Sequence, residues 1–426
     1  MEQMQEQSDI RFNFKSNKPS IIKVIGVGGG GGNAVNHMYK EGIHDVSFLL
    51  CNTDYQALSD SPIPTRLQLG SEGLGAGNRP ERARQAANES IEDIKRMLDD
   101  GTRMVFITAG MGGGTGTGAA PVIAQCAKDM GILTVGIVTI PFLFEGHRKI
   151  NQALDGVEDI AQHVDALLVI NNERLREIYP ELTVLNAFSK ADDTLSVAAR
   201  SIAEIITVHG IVNMDFQDVT TVLKDGGVAI MSMGYGEGEG RVTQAIQGAL
   251  HSPLLNNNDI YNAKKVLLNI CFSSENEENQ LTMEEMSQVH EFMSRFGEDF
   301  ETKWGMAIDP TLDKKVKITI LATGFGLRSV TGKEVDEEKR TVTVERIGKY
   351  YGSSDQPTRR PHHLYTFTGD DLDNDAVISM VEELPTYKRS RELLLSIKNK
   401  AAAAAQNAPV DITQTDDNKI VFNVTE

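Results

Sequence analysis

Residues 104–118, MVFITAGMGGGTGTG, decide how the rest of the chain is interpreted. The first seven residues are largely apolar and β-branched, as in a strand that is buried on both faces. Glycines and threonines follow, and then a helical pattern with Pro121 near its start and Gly131 just past its end. Backbone N–H groups in such a turn, with the positive end of the helix behind them, form an anion site. The stretch therefore predicts a loop that holds the phosphates of a bound nucleotide.

Four similar apolar runs surround this unit between residues 21 and about 206. They are IIKVIGVG, VSFLLCN, ILTVGIVTIP and ALLVINN, and helical patterns separate them. Repeated β-α-β units predict an α/β fold with a doubly wound, Rossmann-like parallel sheet and ligand loops at the carboxyl ends of the strands. Residues 185–208 have the apolar spacing of one long amphipathic helix, and a smaller α/β unit follows up to Gly326.

The chain is expected to have six parts. They are a disordered N-terminal extension at 1–19, a nucleotide-binding domain at 20–184, a central helix at 185–208, a second α/β domain at 209–326, a flexible linker at 327–375 and a C-terminal segment at 376–426. The linker prediction follows from its charge, Gly, Pro and Thr content without apolar periodicity. The alanine run in the last segment favours a helix that needs no core.

Composition narrows the class of protein. The chain has 426 residues, 40% of them hydrophobic, and no apolar run reaches the ~18 residues needed to span a bilayer. The polar N-terminus does not resemble a signal peptide, so we expect a cytoplasmic location. Cys51, Cys126 and Cys271 lie in scattered apolar stretches, which indicates buried thiols. A formal charge of -18 argues against nucleic acid as a partner.

A second glycine run, GVGGGG at 26–31, follows the first apolar run. It satisfies G-x-G-x-x-G, and Asp54 ends the next strand, so a nicotinamide-dependent oxidoreductase is one interpretation. A plain tight turn between strand and helix is another. Neither explains the loop at 110–118. No G-x-x-x-x-G-K-[ST] occurs, which excludes phosphate binding of the Walker type.

GGGTGTG and its surroundings resemble the tubulin/FtsZ family of GTPases. IKVIGVGGGGGNAV, CNTD, GLGAG, AGMGGGTGTGAAPV, GILTVGIVT, PFLFEG and NMDFQDV occur in the family's order between about Ile21 and Gly326. The resemblance implies that the 20–184 domain binds GTP and GDP with magnesium, and that the chain hydrolyses GTP. It also implies head-to-tail filaments of the protein with itself at a midcell division ring. A tubulin-like GTPase of plasmid partition or cell shape is a closer alternative.

The resemblance assigns nucleotide contacts to several loops. The phosphate contacts are Gly28, Gly29, Asn33, Asn52, Asp54, Ala76, Gly77, Gly112, Gly113, Gly114, Thr115, Gly116, Thr117 and Gly118. Glu145 and Asn172 match ribose contacts. Spacing favours Lys149 over Arg148 as the basic partner that follows Glu145. Magnesium is expected to be bridged by the phosphates without side-chain ligands.

Phe188 and Asp192 lie four residues apart on the central helix, and therefore on one face. A carboxylate can accept hydrogen bonds from both N1 and N2 of guanine, and an aromatic ring can stack on the base. A core phenylalanine beside a solvated acid is the alternative, and the resemblance favours base recognition.

Asn213, Asp215 and Asp218 belong to the NMDFQDV motif. The resemblance implies that this acidic loop enters the nucleotide pocket of the next subunit and positions the attacking water. The two aspartates could instead cap a helix, and both roles can coexist.

The segment ELPTYKR at 383–389 resembles a C-terminal peptide that binds membrane tethers and division regulators. Leu384, Pro385, Tyr387 and Arg389 are its expected contact residues. The chain continues to Glu426, and no role is assigned to residues 395–426.

Overall fold

The computed structural model describes residues 20–43, 45–208, 210–251, 260–276, 279–296, 300–325 and 378–379. Contacts divide the chain into two units, Met1–Ser353 and Ser354–Glu426. The predicted N-terminal extension, the linker and nearly all of the C-terminal segment, with its peptide at 383–389, lie outside the described residues. Within the described ranges, no helix combines the length and the apolar character needed to cross a bilayer.

The first part of the chain alternates strands and helices. Its elements are β1 (Ile22–Val27), α1 (Gly28–Lys40), β2 (Val46–Asn52), α2 (Tyr55–Ser59), β3 (Arg66–Gln68), α3 (Pro80–Glu89), α4 (Ile91–Leu98), β4 (Met104–Gly110), α5 (Thr115–Asp129), β5 (Leu133–Ile140), α6 (His147–Ala161), β6 (Ala166–Asn171) and α7 (Asn172–Ile178). The central helix is α8 (Val184–Thr207). These bounds follow the apolar runs and the helical spacing of the sequence.

The second part continues the same sheet. Its elements are β7 (Gly210–Val212), α9 (Phe216–Leu223), β8 (Gly227–Glu237), α10 (Arg241–Leu250), β9 (Lys265–Phe272), α11 (Met283–Met293), β10 (Glu301–Ile308) and β11 (Lys315–Phe325). The described strands form one eleven-stranded sheet in the order β3-β2-β1-β4-β5-β6-β8-β11-β9-β10-β7. The predicted α/β fold is confirmed, although the strands of the second α/β domain predicted at 209–326 extend the first sheet instead of forming a separate one.

Strands β1 to β6 are all parallel, which brings the ends of β1, β2 and β4 to one edge. Val27 stands level with Cys51 on one side and Ala109 on the other. Helices α3 to α6 cover one face of this part of the sheet, and α1, α8 and α9 cover the other. Because the strands are buried on both faces, they are continuously apolar.

Helix α5 begins earlier than the sequence indicates. Pro121 predicts a start near that residue, whereas the helix starts at Thr115 and holds Pro121 in its interior. The early start depends on packing. A Cβ on Gly116 would lie 2.5 Å from the Gly110 carbonyl oxygen, and one on Gly118 would lie 2.0 Å from the Pro80 carbonyl oxygen. Glycine at these positions lets the first turns of α5 approach neighbouring backbone closely.

The three cysteines are buried and free, as predicted for thiols in apolar stretches. Burial raises the pKa of Cys51 to about 12 and that of Cys271 to about 11. They therefore stay protonated at neutral pH and act as small apolar residues.

Candidate functional site

A cavity of about 390 Å³ opens where the loops after β1, β4, β5 and β6 meet the central helix. It brings together eleven of the residues predicted to bind nucleotide: Gly29, Asn33, Gly113, Gly114, Thr115, Gly116, Glu145, Lys149, Asn172, Phe188 and Asp192. Gly30, Gly110, Met111, Thr139, Pro141 and Ala191 complete its wall. Residues far apart in sequence thus share one cavity at the carboxyl edge of the sheet.

The N-termini of two helices face each other at this cavity. Helix α1 begins at Gly28 and α5 begins at Thr115, and a Cβ on Gly28 would lie 2.8 Å from the Gly116 nitrogen. Gly28 has a φ of +72°, which only glycine adopts readily. Gly29, by contrast, has no heavy atom within 4 Å of its Cβ position. Two positive helix ends beside open backbone form a strong anion site.

The second glycine loop is held in shape by its neighbours. The Gly112 N–H donates to the Thr117 hydroxyl at 2.9 Å, and the Gln152 amide donates to the Gly113 carbonyl at 2.9 Å. Gly112 has a φ of +93°, and a Cβ there would lie 2.7 Å from the Lys149 carbonyl oxygen. Thr117 therefore supports the loop from behind and does not line the cavity.

Glu145, Lys149 and Asn172 line one side of the cavity. Glu145 accepts a hydrogen bond from the Phe142 N–H at 2.9 Å and forms an ion pair with Lys149. Arg148, the alternative basic residue, does not line the cavity. The Asn172 side-chain oxygen is buried and has no hydrogen-bond partner. A buried acceptor without a partner is costly, so this atom indicates a donor supplied by a ligand.

Phe188 and Asp192 line the cavity from α8, on one face as predicted. The Phe188 ring contacts the edge of Phe142, with centroids 5.3 Å apart, and keeps 41% of its surface exposed. Burial raises the pKa of Asp192 to about 6, and the nearby His37 opposes this shift. A desolvated carboxylate gains more from hydrogen-bond donors than a solvated one.

Eight predicted contact residues lie outside the cavity wall: Gly28, Asn52, Asp54, Ala76, Gly77, Gly112, Thr117 and Gly118. Asp54 caps α2, where it accepts from the Gln56 N–H at 2.9 Å. Ala76 lines a neighbouring cavity of about 160 Å³ together with Thr53. The Thr53 and Thr115 hydroxyls are 2.7 Å apart and connect the two cavity walls.

The acidic loop lies elsewhere. Asp215 caps helix α9 and accepts from the Asp218 N–H at 3.0 Å, while Asp218 accepts from the Asp215 N–H at 3.1 Å. Asn213 accepts from the Gly210 N–H at 2.6 Å. None of the three lines the cavity of its own chain. The capping role that the sequence left open is therefore present, in a region separate from the cavity.

Sequence reasoning missed three residues that organise these regions. Gln152 supports the glycine loop, Thr53 links the two cavity walls, and Lys303 forms an ion pair with Asp218 at 3.0 Å. Gln152 follows Lys149 by three residues and so shares its helix face, which was a usable signal. No sequence signal pointed to Lys303, because it comes close to the acidic loop only where β10 pairs with β7 in the sheet.

Among the described residues, His37, Glu41 and Asp193 form a cluster with metal-ligand geometry. Glu41 is already paired with Arg200, and Asp193 with Lys190 at 2.6 Å. The cluster lies between α1 and α8 and contributes no residue to the cavity wall. We assign no metal to it.

Comparisons with known proteins found family models that match three parts of the chain. The family model described as "Tubulin/FtsZ family, GTPase domain" matches residues 21–180, "FtsZ family, C-terminal domain" matches 227–326 and "FtsZ, C-terminal" matches 359–404. A cell division protein FtsZ of Porphyromonas gingivalis is 51% identical over 95% of this chain and 93% of its own. One from Azotobacter vinelandii is 46% identical over 75% and 81%.

Solved structures show the same relationship. An FtsZ dimer of M. jannaschii has a TM-score of 0.66 and 39% identity, covering 72% of this chain and 89% of its own. CetZ1 from Haloferax volcanii, a GDP-bound monomer, has a TM-score of 0.63 at 21% identity and covers 76% and 98%. The second likeness concerns the fold alone.

Proposed function

Because the chain belongs to the tubulin/FtsZ family and is a GTPase of the cell-division type, we propose that it assembles head to tail into filaments in which the acidic loop of one copy completes the active site of the next. The family excludes a nicotinamide-dependent oxidoreductase. The relatives named for cell division favour a role in division over one in plasmid partition or cell shape.

One observation carries the proposal: the cavity holds the binding groups, and the two loop carboxylates lie outside it in the same chain. Hydrolysis of GTP needs a residue that orients water against the γ-phosphate. The acidic groups on the cavity wall are Glu145, which is paired with Lys149, and Asp192, which lies on the central helix. Asp215 and Asp218 of an adjoining copy supply the missing group, with Asn213 beside them.

Within the cavity, we propose that the phosphates bind at the facing helix ends and the open backbone of Gly29 and Gly113. Glu145 and Asn172 then contact the ribose, and the partnerless Asn172 oxygen accepts from a ribose hydroxyl. Asp192 accepts from N1 and N2 of guanine, while Phe188 packs on the base.

The phosphate charge supports a role for magnesium. Two carboxylates and one ammonium line the cavity, so its side chains do not neutralise a triphosphate. Backbone N–H groups and helix ends contribute partial charges. Magnesium would be held by phosphate oxygens and its own waters, without a proposed side-chain ligand, and it would neutralise negative charge on the phosphates.

A head-to-tail interface is heterologous and generates open filaments. Hydrolysis at the junction then weakens the contact that formed the site. We propose that filaments gather at a midcell ring and that Leu384, Pro385, Tyr387 and Arg389 bind membrane tethers and division regulators. The six-part organisation predicted from the sequence, with boundaries at 19, 184, 208, 326 and 375, serves this assembly.

The experiment measures GTP hydrolysis per molecule over a range of protein concentrations, with sedimentation of polymer in parallel. A site shared by two copies predicts that specific activity rises with concentration and follows polymer mass. Specific activity that is constant with concentration, in the absence of sedimentable polymer under GTP, contradicts the proposal.

A further inference from the structure

Lys303 lies on β10, far in sequence from the acidic loop, yet its Nζ is 3.0 Å from the Asp218 Oδ1. The other Asp218 oxygen accepts from the Asp215 N–H at 3.1 Å, so each carboxylate oxygen is held in place by a partner. The Asp215 backbone first, and Lys303 in addition, hold the pKa of Asp218 below its usual range. The hydrogen bond with Asp218 in turn raises the pKa of Lys303. The acidic loop therefore presents the Asp218 carboxylate in a fixed orientation, in an ion pair with Lys303.

Strand β10 supports the acidic loop at three points. Val212, just before the loop, pairs with Met306. Met214 packs so closely on Gly305 that a Cβ there would lie 2.6 Å from the Met214 Cε. Lys303 holds Asp218 two residues further along the same face of the strand. Because β10 also pairs along its whole length with β9, this support is rigid.

At the contact between the acidic loop of one copy and the cavity of the next, the charge of Lys303 affects more than the stability of the fold. Two loop carboxylates must approach the terminal phosphate of a nucleotide, and like charges in a partly desolvated interface repel. The cavity that receives them offers one ammonium, Lys149, which Glu145 already pairs. Lys303 arrives with the carboxylates and reduces this repulsion. As a half-exposed surface pair, it adds little to the stability of the folded chain.

We propose that Lys303 is a positioning residue for hydrolysis, which fixes the direction of the Asp218 carboxylate and offsets the negative charge of the acidic loop at the terminal phosphate of the neighbouring copy. The inference rests on the proposed function, because it requires Asp218 to act in that neighbouring cavity.

The test compares Lys303→Met with Lys303→Arg and measures GTP turnover per sedimented subunit at saturating GTP. Without Lys303, the Asp218 carboxylate that orients water is less well positioned, which slows hydrolysis. Lys303→Met is therefore expected to lower turnover about tenfold. Lys303→Arg keeps the charge and is expected to stay within about threefold of the unsubstituted protein. GTP affinity of the monomer is unchanged in both, because Lys303 is absent from the cavity wall.

The matched control is Lys95→Met, which removes a comparable surface pair with Glu92 at 2.8 Å on α4 and should leave turnover unchanged. Turnover per sedimented subunit within twofold of normal in Lys303→Met overturns the inference, even if less polymer forms. Asp218→Ala separates the two levels. If Asp218→Ala is slow and Lys303→Met is normal, the positioning role alone is wrong; if Asp218→Ala is normal, the shared active site is wrong.

Discussion

The nucleotide cavity and the acidic loop treat their polar groups in opposite ways. The cavity leaves groups available to a ligand, namely the partnerless Asn172 oxygen and the open backbone at Gly29 and Gly113. The loop satisfies its own groups, since Asp215 caps α9 and Asp218 is held by Lys303. We therefore expect the cavity to bind nucleotide without a second copy of the chain. We expect the acidic loop to keep its conformation before it contacts a second copy of the chain.

The first glycine run shows the same contrast within a few residues. Gly29 has open space where a Cβ would stand, whereas a Cβ on Gly31 would lie 2.1 Å from the Thr108 carbonyl oxygen. We therefore propose that Gly29 serves the ligand, whereas Gly31 allows α1 to pack closely on the sheet. Substitution at the two positions distinguishes binding from folding.

The largest effect is expected from Gly29→Glu. A carboxylate in the first turn of α1 suits the helix, and the Cβ position of Gly29 has no heavy atom within 4 Å, so the thermal unfolding midpoint should change little. The same carboxylate would lie where we propose that phosphate binds, and like charges brought together there cost several kcal/mol, so GTP affinity should fall by roughly 1,000-fold. Calorimetric titration with GTP and a thermal unfolding scan measure the two quantities.

Gly31→Ala is the matched contrast. Its methyl group collides with rigid backbone, which should destabilise the fold by about 1–3 kcal/mol or more. If Gly29→Glu unfolds the protein and Gly31→Ala does not, the assignment of the two glycines is reversed.

A smaller effect is expected at Asp192. In the proposed binding mode its carboxylate must be ionised to accept two hydrogen bonds from guanine, and burial raises its pKa to about 6. Protonation therefore competes with binding at low pH: affinity should be constant above pH 7 and fall by about tenfold per pH unit below 6. His37 is the neighbouring group that opposes the shift. GDP titrations between pH 5 and 8 measure this profile.

Asp192→Asn removes both the charge and one acceptor. Affinity for GDP should fall by about 1.5–3 kcal/mol, or roughly 10- to 100-fold, and its dependence on pH below 6 should disappear. A pH profile that is the same in Asp192→Asn and in the unsubstituted protein would assign the titration to another group.

Local patterns were enough for much of this molecule. The apolar runs predicted the strands, and helical spacing placed the central helix at 185–208, within one residue of Val184–Thr207. Phe188 and Asp192 could be paired because four residues bring two side chains onto one helix face. In each case the information lies within a few residues of the feature.

The features that were not predicted depend on distant contacts. The start of α5 at Thr115 follows from the approach of Gly118 to Pro80, which the local position of Pro121 does not reveal. The ion pair of Lys303 with Asp218 exists because β7 joins the sheet beside β10, an order that strand patterns alone do not give. The capping of α9 was foreseen only as one of two alternatives.

We propose that a complete active site needs two copies of the chain, and a mixture of two defective variants distinguishes this arrangement from an active site within one chain. Asp218→Ala keeps a normal cavity and should hydrolyse slowly. Gly29→Glu keeps a normal acidic loop and should bind GTP roughly 1,000-fold more weakly. In an equimolar mixture, random assembly pairs a normal cavity with a normal loop at about a quarter of the junctions. We expect the mixture to recover up to about that fraction of normal turnover. A mixture that sediments together under GTP and hydrolyses no faster than the sum of its components would place the whole active site within one chain.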